Sequence, residues 1–295
     1  MILFKDLTLE DRQTITNYTM NSNRRNCDLS FSNLCSWRFL YDTQFAEVDG
    51  FLVLKFKAGE RPAHMMPVGN GDLRRVILKL EENAREAREE FRMLGITPDM
   101  KAEIEAALPE RFAFTANRDY ADYIYLRTDL ANLTGKKYQS KRNHINKLKK
   151  ACRYEYRPLT AEYIPECLRL EAEWCHTNHC EEQEGMLNEC RAIVYALTHF
   201  DSLGLTGGLL LVDGKVMAFT FGMPINGDTF GVHVEKAHAS IDGAYAAINC
   251  EFAARIPEQY TYINREEDLG IEGLRQAKLS YRPVILLEKS EAFAL

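Results

Sequence analysis

Residues 207–236 read GGLLLVDGKVMAFTFGMPINGDTFGVHVEK. Three apolar runs are separated by Asp213-Gly214 and by Asn226-Gly227-Asp228, and such residues favour tight turns between antiparallel strands. The stretch therefore predicts a meander of three antiparallel strands, which fixes the centre of a sheet.

The segments on either side of the meander extend it into an α/β unit. A strand at 154–159 and helices near 160–176 and 186–199 precede it, and SIDGAYAAINCEFAARI (240–256) reads as a helix directly after it. The strand YTYIN (260–264), the helix GIEGLRQAKL (270–279) and the strand PVILLEK (283–289) follow. After the strand at 154–159, the predicted order is α-α-β-β-β-α-β-α-β.

The first half of the chain has a similar order. A helix from Thr8 to about Asn21 begins with a T-x-x-D capping box, and a hairpin turns at Asp49-Gly50. Asp72 is predicted to cap a long helix that runs to about residue 93 and ends at Gly95. We therefore predict an α/β (α+β) protein of two related halves, 1–150 and 151–295, with mixed, mainly antiparallel sheets.

The bulk composition narrows the possible functions. The chain has 295 residues, a net charge of −6 and eight cysteines at irregular spacing. The acidic balance argues against general DNA binding, and no apolar stretch is long enough for a transmembrane helix. The N-terminus lacks the pattern of a secretory signal, so we expect a cytoplasmic protein with reduced thiols. We also expect no tightly bound cofactor.

A basic stretch interrupts this acidic chain. Residues 135–150, GKKYQSKRNHINKLKK, contain seven Lys or Arg and no Asp or Glu. Tyr138, Ile145 and Leu148 fall on one helix face, so the stretch predicts an amphipathic basic helix. Arg142 and Asn143 could bind a phosphate or carboxylate, although a solvated basic face is the common alternative.

The order of elements in the second half resembles the GNAT acyltransferase fold. In that fold, the helix after the meander points its N-terminus at the phosphates of the donor, where free N–H groups attract anions. The resemblance places that helix at KAHASIDGAYAAI (236–248), with Ser240 or Asp242 as its cap and with Ser240 and Gly243 as donor-binding residues.

Two further segments resemble a narrower group. The stretch 135–150 is similar to the basic helix of tandem-GNAT aminoacyl-tRNA-dependent transferases, which include Fem-type ligases and the C-terminal domain of phosphatidylglycerol lysyltransferases. EGLRQAKLSYRP (272–283) looks like their late L-x-x-F-K-x-x-F-x-P signature, except that Ala277 replaces its first Phe. With PVGNGD, HVEK and INREEDLG, the resemblance covers nearly the whole chain.

The resemblance implies roles for particular residues. Lys278 would stabilise negative charge at the donor ester or phosphate, although a Lys at a helix end also suits the helix dipole. Glu235 could act as general base or bind the ammonium of the acceptor, and His233 is expected on the same sheet face. Tyr281 could give a proton to the leaving group or anchor in the core.

The loop INREEDLG joins a predicted strand to a predicted helix, and such loops often carry site residues. Asn264, Arg265 and Asp268 are therefore candidates for substrate binding, with helix capping as the alternative for Asp268. CHTNHC (175–180) contains Cys and His at i, i+4 spacing, but the two pairs point in different directions. We expect helix-end packing there and predict no metal site.

These features predict an acyl- or aminoacyltransferase. The donor would be aminoacyl-tRNA or acyl-CoA, and the acceptor an amine or hydroxyl of a small molecule, a phospholipid, a peptide or a cell-wall precursor. We expect direct attack, because no nucleophile is evident, and peripheral membrane contact if the acceptor is a lipid. The alternative is a non-catalytic GNAT-fold module that binds a ligand or RNA.

Overall fold

A computed structural model describes residues 2–295 and shows two β-sheets within that range. The strands are β1 (Lys5–Asp6), β2 (Gln44–Val48), β3 (Phe51–Ala58), β4 (Arg61–Met65), β5 (Val68–Gly69), β6 (Arg92–Ile96), β7 (Phe112–Ala116), β8 (Asp122–Leu126), β9 (Tyr154–Pro158), β10 (Thr206–Val212), β11 (Lys215–Pro224), β12 (Thr229–Ala237), β13 (Tyr262–Asn264), β14 (Ile285–Leu287) and β15 (Ser290–Ala294).

The helices cover the faces of these sheets. They are α1 (Arg12–Thr19), α2 (Phe31–Ser36), α3 (Arg38–Tyr41), α4 (Leu73–Glu86), α5 (Pro98–Ala107), α6 (Arg127–Asn132), α7 (Gln139–Ala151), α8 (Ile164–Thr177), α9 (Glu184–Thr198), α10 (Phe200–Leu203), α11 (Ala244–Ala253) and α12 (Glu272–Leu279). None of them, within residues 2–295, has the length and apolar character that a bilayer span requires.

Both sheets are mixed and mainly antiparallel. The first has the order β1-β2-β3-β4-β6-β15-β7, with β5 beside β3, and its parallel pair is β4–β6. The second has the order β14-β8-β13-β12-β11-β10-β9, and its parallel pair is β12–β13. The predicted α/β class with mixed, mainly antiparallel sheets is confirmed.

The predicted meander is present as β10, β11 and β12. Asp213 and Gly214 have φ values of 49° and 77°, the left-handed backbone that a two-residue hairpin turn needs at both positions. In the second turn, the side-chain oxygen of Asn226 accepts from the backbone N–H groups of Asp228 and Thr229. Local turn chemistry therefore sets this part of the sheet.

The two sheets exchange strands along the chain. β8 lies in the second sheet although it precedes residue 150, and β15 returns from the end of the chain to the first sheet. The chain therefore first enters the second sheet at Asp122, whereas the predicted boundary between the two halves is at residue 150. One apolar core also joins the halves, since Phe31 and Phe45 belong to the same cluster as Leu170 and Phe219.

Capping residues define the helix starts of the first half. Thr8 and Asp11 form the predicted capping box, and Asp72 accepts from the backbone N–H of Arg75 at the start of α4. The predicted end of α4 is wrong: the helix ends at Glu86, and Gly95 lies inside β6. The segment 92–96 is a strand because it pairs with both β4 and β15.

Candidate active site

The second sheet opens where β12 and β13 stop pairing. They are hydrogen-bonded only between Thr229–Gly231 and Tyr262–Asn264, although β12 continues to Ala237. Just beyond this point, a guanidinium nitrogen of Arg265 lies 3.1 Å from a carboxylate oxygen of Glu235. The divergence of the strands thus makes room for a buried ion pair.

α11 completes this site from one face of the sheet. The side-chain amide of Asn249 donates to the second carboxylate oxygen of Glu235 at 3.1 Å. Two buried polar atoms of this group have no hydrogen-bond partner: Nη1 of Arg265 and Oδ1 of Asn249. Buried donors and acceptors are normally hydrogen-bonded. Arg265 therefore has one unused donor, and Asn249 has one unused acceptor, and both residues contact Glu235.

Two tyrosines and a lysine enclose the Arg265 guanidinium. It lies 4.9 Å from the ring centroid of Tyr281 and 5.8 Å from that of Tyr125. Lys141 of α7 places its ammonium 4.0 Å from the Tyr281 ring. Burial and the nearby Arg265 lower the pKa of Lys141. Burial also acts to lower the pKa of Arg265, but Glu235 together with Tyr125 and Tyr281 outweighs it and raises that pKa.

Lys278 lies behind this site. Its ammonium is buried and donates to the backbone carbonyl of Arg265 at 2.6 Å and to that of Glu267. Burial lowers its pKa. Lys278 therefore holds the backbone that carries Arg265, and its role at a donor ester stays a prediction.

Four consecutive charged residues, 265–268, are each held by a different partner. Arg265 binds Glu235, Glu266 binds His233, and Glu267 binds Lys289. Asp268 does not cap α12, whose N-cap is Ile271; its carboxylate instead accepts from Arg118, Tyr123 and Arg275. Burial acts to raise the pKa of Asp268, but Arg275 and hydrogen bonds from Tyr123 and the Gly270 backbone together lower it, and the partners fix the loop.

His233 does not share a sheet face with Glu235, which corrects the sequence-based expectation. A β-bulge between Phe221 and Gly222 leaves His233 without a partner on β11, so the alternation of side chains breaks there. The imidazole instead contacts the Ser30 hydroxyl and the Glu266 carboxylate, both at 2.8 Å.

A second buried ionic group lies on the other side of the loop. The Lys289 ammonium is 2.7 Å from Asp28, 2.8 Å from Asp122 and 2.5 Å from Glu267. Burial and the neighbouring carboxylates raise the pKa of Glu267 to about 7, whereas Lys289 outweighs burial and lowers that of Asp28. Asn264 joins this group through a 2.8 Å hydrogen bond to Asp122.

Metal-ligand atoms converge at one place in residues 2–295. The thiol of Cys27 and carboxylate oxygens of Asp122 and Glu267 lie within 4.8 Å of one another. The Lys289 ammonium binds both of these carboxylates, so it already supplies the cation that such a group attracts. The chemistry of the donor set is therefore satisfied by the protein itself.

The start of α11 differs from its predicted form. Its N-cap is Gly243, with φ of 88°, and not Ser240 or Asp242; the Ser240 hydroxyl contacts His238 instead. A Cβ at Gly243 would lie 2.4 Å from the carbonyl oxygen of His144, so α7 packs directly against this helix start.

Asp242 adds negative charge at the same point. Its carboxylate contacts Lys147 at 2.5 Å and His144 at 3.2 Å, and both partners belong to α7. Gly243 therefore lies against the basic helix, whereas Ser240 contacts His238, and a donor-binding role for the two residues stays a prediction.

α7 itself forms as the basic stretch predicts, with Tyr138, Ile145 and Leu148 buried. Arg142 donates to the carbonyl oxygens of Leu133 and Gly135, and Asn143 is exposed. Arg142 therefore stabilises the turn before α7, and its contact with a substrate anion stays a prediction.

Sequence reasoning missed several residues of these groups, among them Lys141, Asn249 and Lys289. Lys141 was within the basic stretch but not distinguished from its neighbours. Asn249 had a usable signal, because it is the one amide in the mainly apolar run AYAAINCEFA. Lys289 had none, because its partners come from distant segments.

The sequence model of one family matches residues 19–293, and that family is described as "Phosphatidylglycerol lysyltransferase, C-terminal". The chain belongs to this family. No protein of curated function matches the chain in sequence. The resemblance on which the sequence analysis rests is thereby confirmed.

Solved structures agree with the family and the fold. A conserved protein of unknown function from Bacteroides thetaiotaomicron is 67% identical, with each chain covered fully and a TM-score of 0.97. L-PGS from Bacillus licheniformis is 15% identical over 100% of this chain and 94% of that one, with a TM-score of 0.69. FemX is 10% identical over 100% and 98%, with a TM-score of 0.55. The last two share the fold, and the GNAT-like architecture is confirmed.

Proposed function

We propose that this protein is an aminoacyltransferase that moves an aminoacyl group from aminoacyl-tRNA to an amine or hydroxyl acceptor by direct attack. The site is the group Glu235, Asn249, Arg265, Lys141 and Tyr281. Membership of a family named for a lysyltransferase supports the class of reaction. The observation that favours an aminoacyl donor is the pair of unused polar atoms beside Glu235, Nη1 of Arg265 and Oδ1 of Asn249.

An aminoacyl ester has an ammonium group next to its ester carbonyl. The ammonium needs acceptors, which Glu235 and Oδ1 of Asn249 supply. The carbonyl oxygen gains negative charge during transfer and needs donors, which Nη1 of Arg265 supplies. Acceptor and donor atoms are thus adjacent in the site as the two groups are in the substrate.

The same residues suggest how the protons move. The acceptor must lose a proton as it attacks, and Lys141 suits that role because burial and Arg265 lower its pKa. Tyr281, whose pKa is raised by burial, stays protonated and could give its proton to the leaving hydroxyl. Glu235, which is held by Arg265 and Asn249, binds the donor ammonium.

An acyl-CoA donor suits this chain less well. In the GNAT resemblance, the helix that begins near Gly243 would receive the pyrophosphate. Here α7 covers that helix start, and Asp242 would repel an anion. The basic face of α7 instead favours the phosphates of a tRNA.

We infer that the acceptor is a phospholipid, because the family of this chain is named for a phosphatidylglycerol lysyltransferase. A cell-wall precursor is the alternative acceptor that the sequence analysis gives. The protein would take charged tRNA from the cytoplasm and meet a lipid acceptor at the membrane surface.

A binding comparison tests the donor class. Thermal unfolding is followed with the uncleavable 3′-amide of an aminoacyl-adenosine, with adenosine alone and with acetyl-CoA. We expect the melting temperature to rise with the amide only, and the rise to vanish in Glu235→Gln, because a ligand that binds the folded state stabilises it. A rise with acetyl-CoA alone would contradict the proposal. A separate titration that shows binding of uncharged tRNA, together with no effect of the amide, would favour the RNA-binding module.

A further inference from the structure

Lys289 joins three distant segments of the chain. It stands just before β15, and its ammonium binds Asp28 from the turn Cys27–Leu29, Asp122 from the start of β8, and Glu267 from the loop after β13. Its side chain is only 4% exposed. An ammonium so deeply buried is stable only because these carboxylates compensate it.

The same carboxylates hold the loop on both sides of Arg265. Asp122 accepts from the side-chain amide of Asn264 at 2.8 Å, directly before Arg265. Glu267 follows two residues later, and its backbone carbonyl binds Lys278. Lys289 therefore binds Asp122, the partner of Asn264 at one end of the segment 264–267, and binds Glu267 itself at the other end.

We infer that Lys289 is a positioning residue for the proposed reaction: by holding Asp122 and Glu267 together, it fixes the backbone that presents Arg265 to the substrate. This inference rests on the proposed function. Without the ammonium, three carboxylates would face one another in a buried space, and the loop would relax to separate them. A shift of about 1 Å in a reacting group can reduce a rate by about 100-fold.

The test compares Lys289→Met, which keeps length but removes charge, with Lys289→Arg, which keeps charge. The control is Lys55→Met, because Lys55 of β3 is also a paired lysine, 2.6 Å from Glu89, with a side chain that is 20% exposed. Aminoacyl transfer is measured at steady state. We expect kcat to fall about 100-fold in Lys289→Met with little change in the acceptor KM, and to recover substantially in Lys289→Arg. Lys55→Met should match the wild type.

An unchanged kcat in Lys289→Met would overturn the inference, and so would an equal fall in Lys55→Met. If Lys289→Met does not fold, the variant Glu267→Gln is used instead, because Lys289 still has Asp28 and Asp122 as partners in that variant. A wild-type kcat in Glu267→Gln would overturn the inference as well.

Amide hydrogen exchange of residues 264–268 separates this inference from the proposed function. If the wild type transfers nothing, the proposed function fails, but faster exchange confined to this segment in Lys289→Met still supports positioning. Unchanged exchange would overturn it.

Discussion

The guanidinium of Arg265 lies 3.1 Å from the carboxylate of Glu235, at the point where β12 and β13 separate. Both side chains are largely buried, so each charge depends on the other. Glu235 uses one oxygen for Arg265 and the other for Asn249. The pair is therefore fixed in place, while Nη1 of Arg265 has no hydrogen-bond partner within the protein.

Replacing Arg265 with Lys tests the donor that Nη1 provides. Lys keeps the charge but loses the planar fork, so it cannot bind Glu235 and a developing oxyanion together. We expect single-turnover transfer to slow by about 100-fold or more, the usual effect of removing one oxyanion donor. Arg255→Lys is the control, because Arg255 lies just after α11, is exposed, and pairs with Glu251 of that helix. Equal rates in the two variants would contradict the assigned role.

Asn249→Leu tests the acceptor atom of the site. The substitution removes the unpartnered Oδ1, so the aminoacyl donor should bind about tenfold more weakly, the usual effect of losing a charge-assisted hydrogen bond of about 1.4 kcal/mol. Stability should change little, because removal of the unsatisfied Oδ1 offsets the loss of the hydrogen bond that the Asn249 amide donates to Glu235. Equilibrium binding and urea unfolding measure the two effects. Asn188→Leu, at a buried Asn of α9, should leave binding unchanged; loss of binding there too would indicate a general packing effect.

Gly243→Ala tests the contact between α7 and α11. The residue has φ of 88°, and a Cβ would lie 2.4 Å from the His144 carbonyl oxygen, so strain and overlap combine. We expect the free energy of unfolding to fall by about 1–3 kcal/mol. The control is Gly185→Ala in α9, where a Cβ meets nothing within 4 Å. If both variants unfold alike in urea, α7 does not cover this helix start as described.

His64 predicts how stability depends on pH. Both ring nitrogens are buried without hydrogen-bond partners, and burial lowers the pKa to about 4 from 6.5. In the unfolded chain, His64 therefore takes up a proton below about pH 6.5, whereas in the folded chain it does so only near pH 4. The unfolded state binds more protons between these values, so stability is lost as pH falls. This one group should lower the free energy of unfolding by about 2 kcal/mol between pH 7.5 and pH 5.

The comparison of urea unfolding at these two pH values isolates that contribution. His64→Leu should lose about 2 kcal/mol less than the wild type on acidification, whereas His176→Leu, at an exposed His, should behave like the wild type. Equal losses in all three proteins would show that His64 is not held neutral.

Local sequence signals predicted much of this fold because the interactions that they report are short in range. The turn at Asp213-Gly214, the caps at Thr8 and Asp72 and the apolar face of α7 each depend on residues close in sequence. Such signals could not show that β15 returns to the first sheet, because pairing with β6 and β7 is decided by tertiary contacts.

The site was predictable only in part for the same reason. Glu235 and Arg265 were found separately, but their contact depends on where β12 and β13 separate. His233 was placed on the wrong face because a bulge breaks the period of two on which that expectation rested. Lys289 has no local signal, since its three partners lie in segments that only the folded chain brings together.

Transfer from labelled aminoacyl-tRNA tests the central claim most directly. The purified protein is given a mixture of charged tRNAs together with vesicles that contain phosphatidylglycerol, a cell-wall lipid precursor or neither, and the label that reaches the acceptor is counted. The account predicts transfer by the wild type to one acceptor, and its loss in both Glu235→Gln and Arg265→Lys. No transfer from any charged tRNA, or transfer that both variants retain at the wild-type rate, would contradict it.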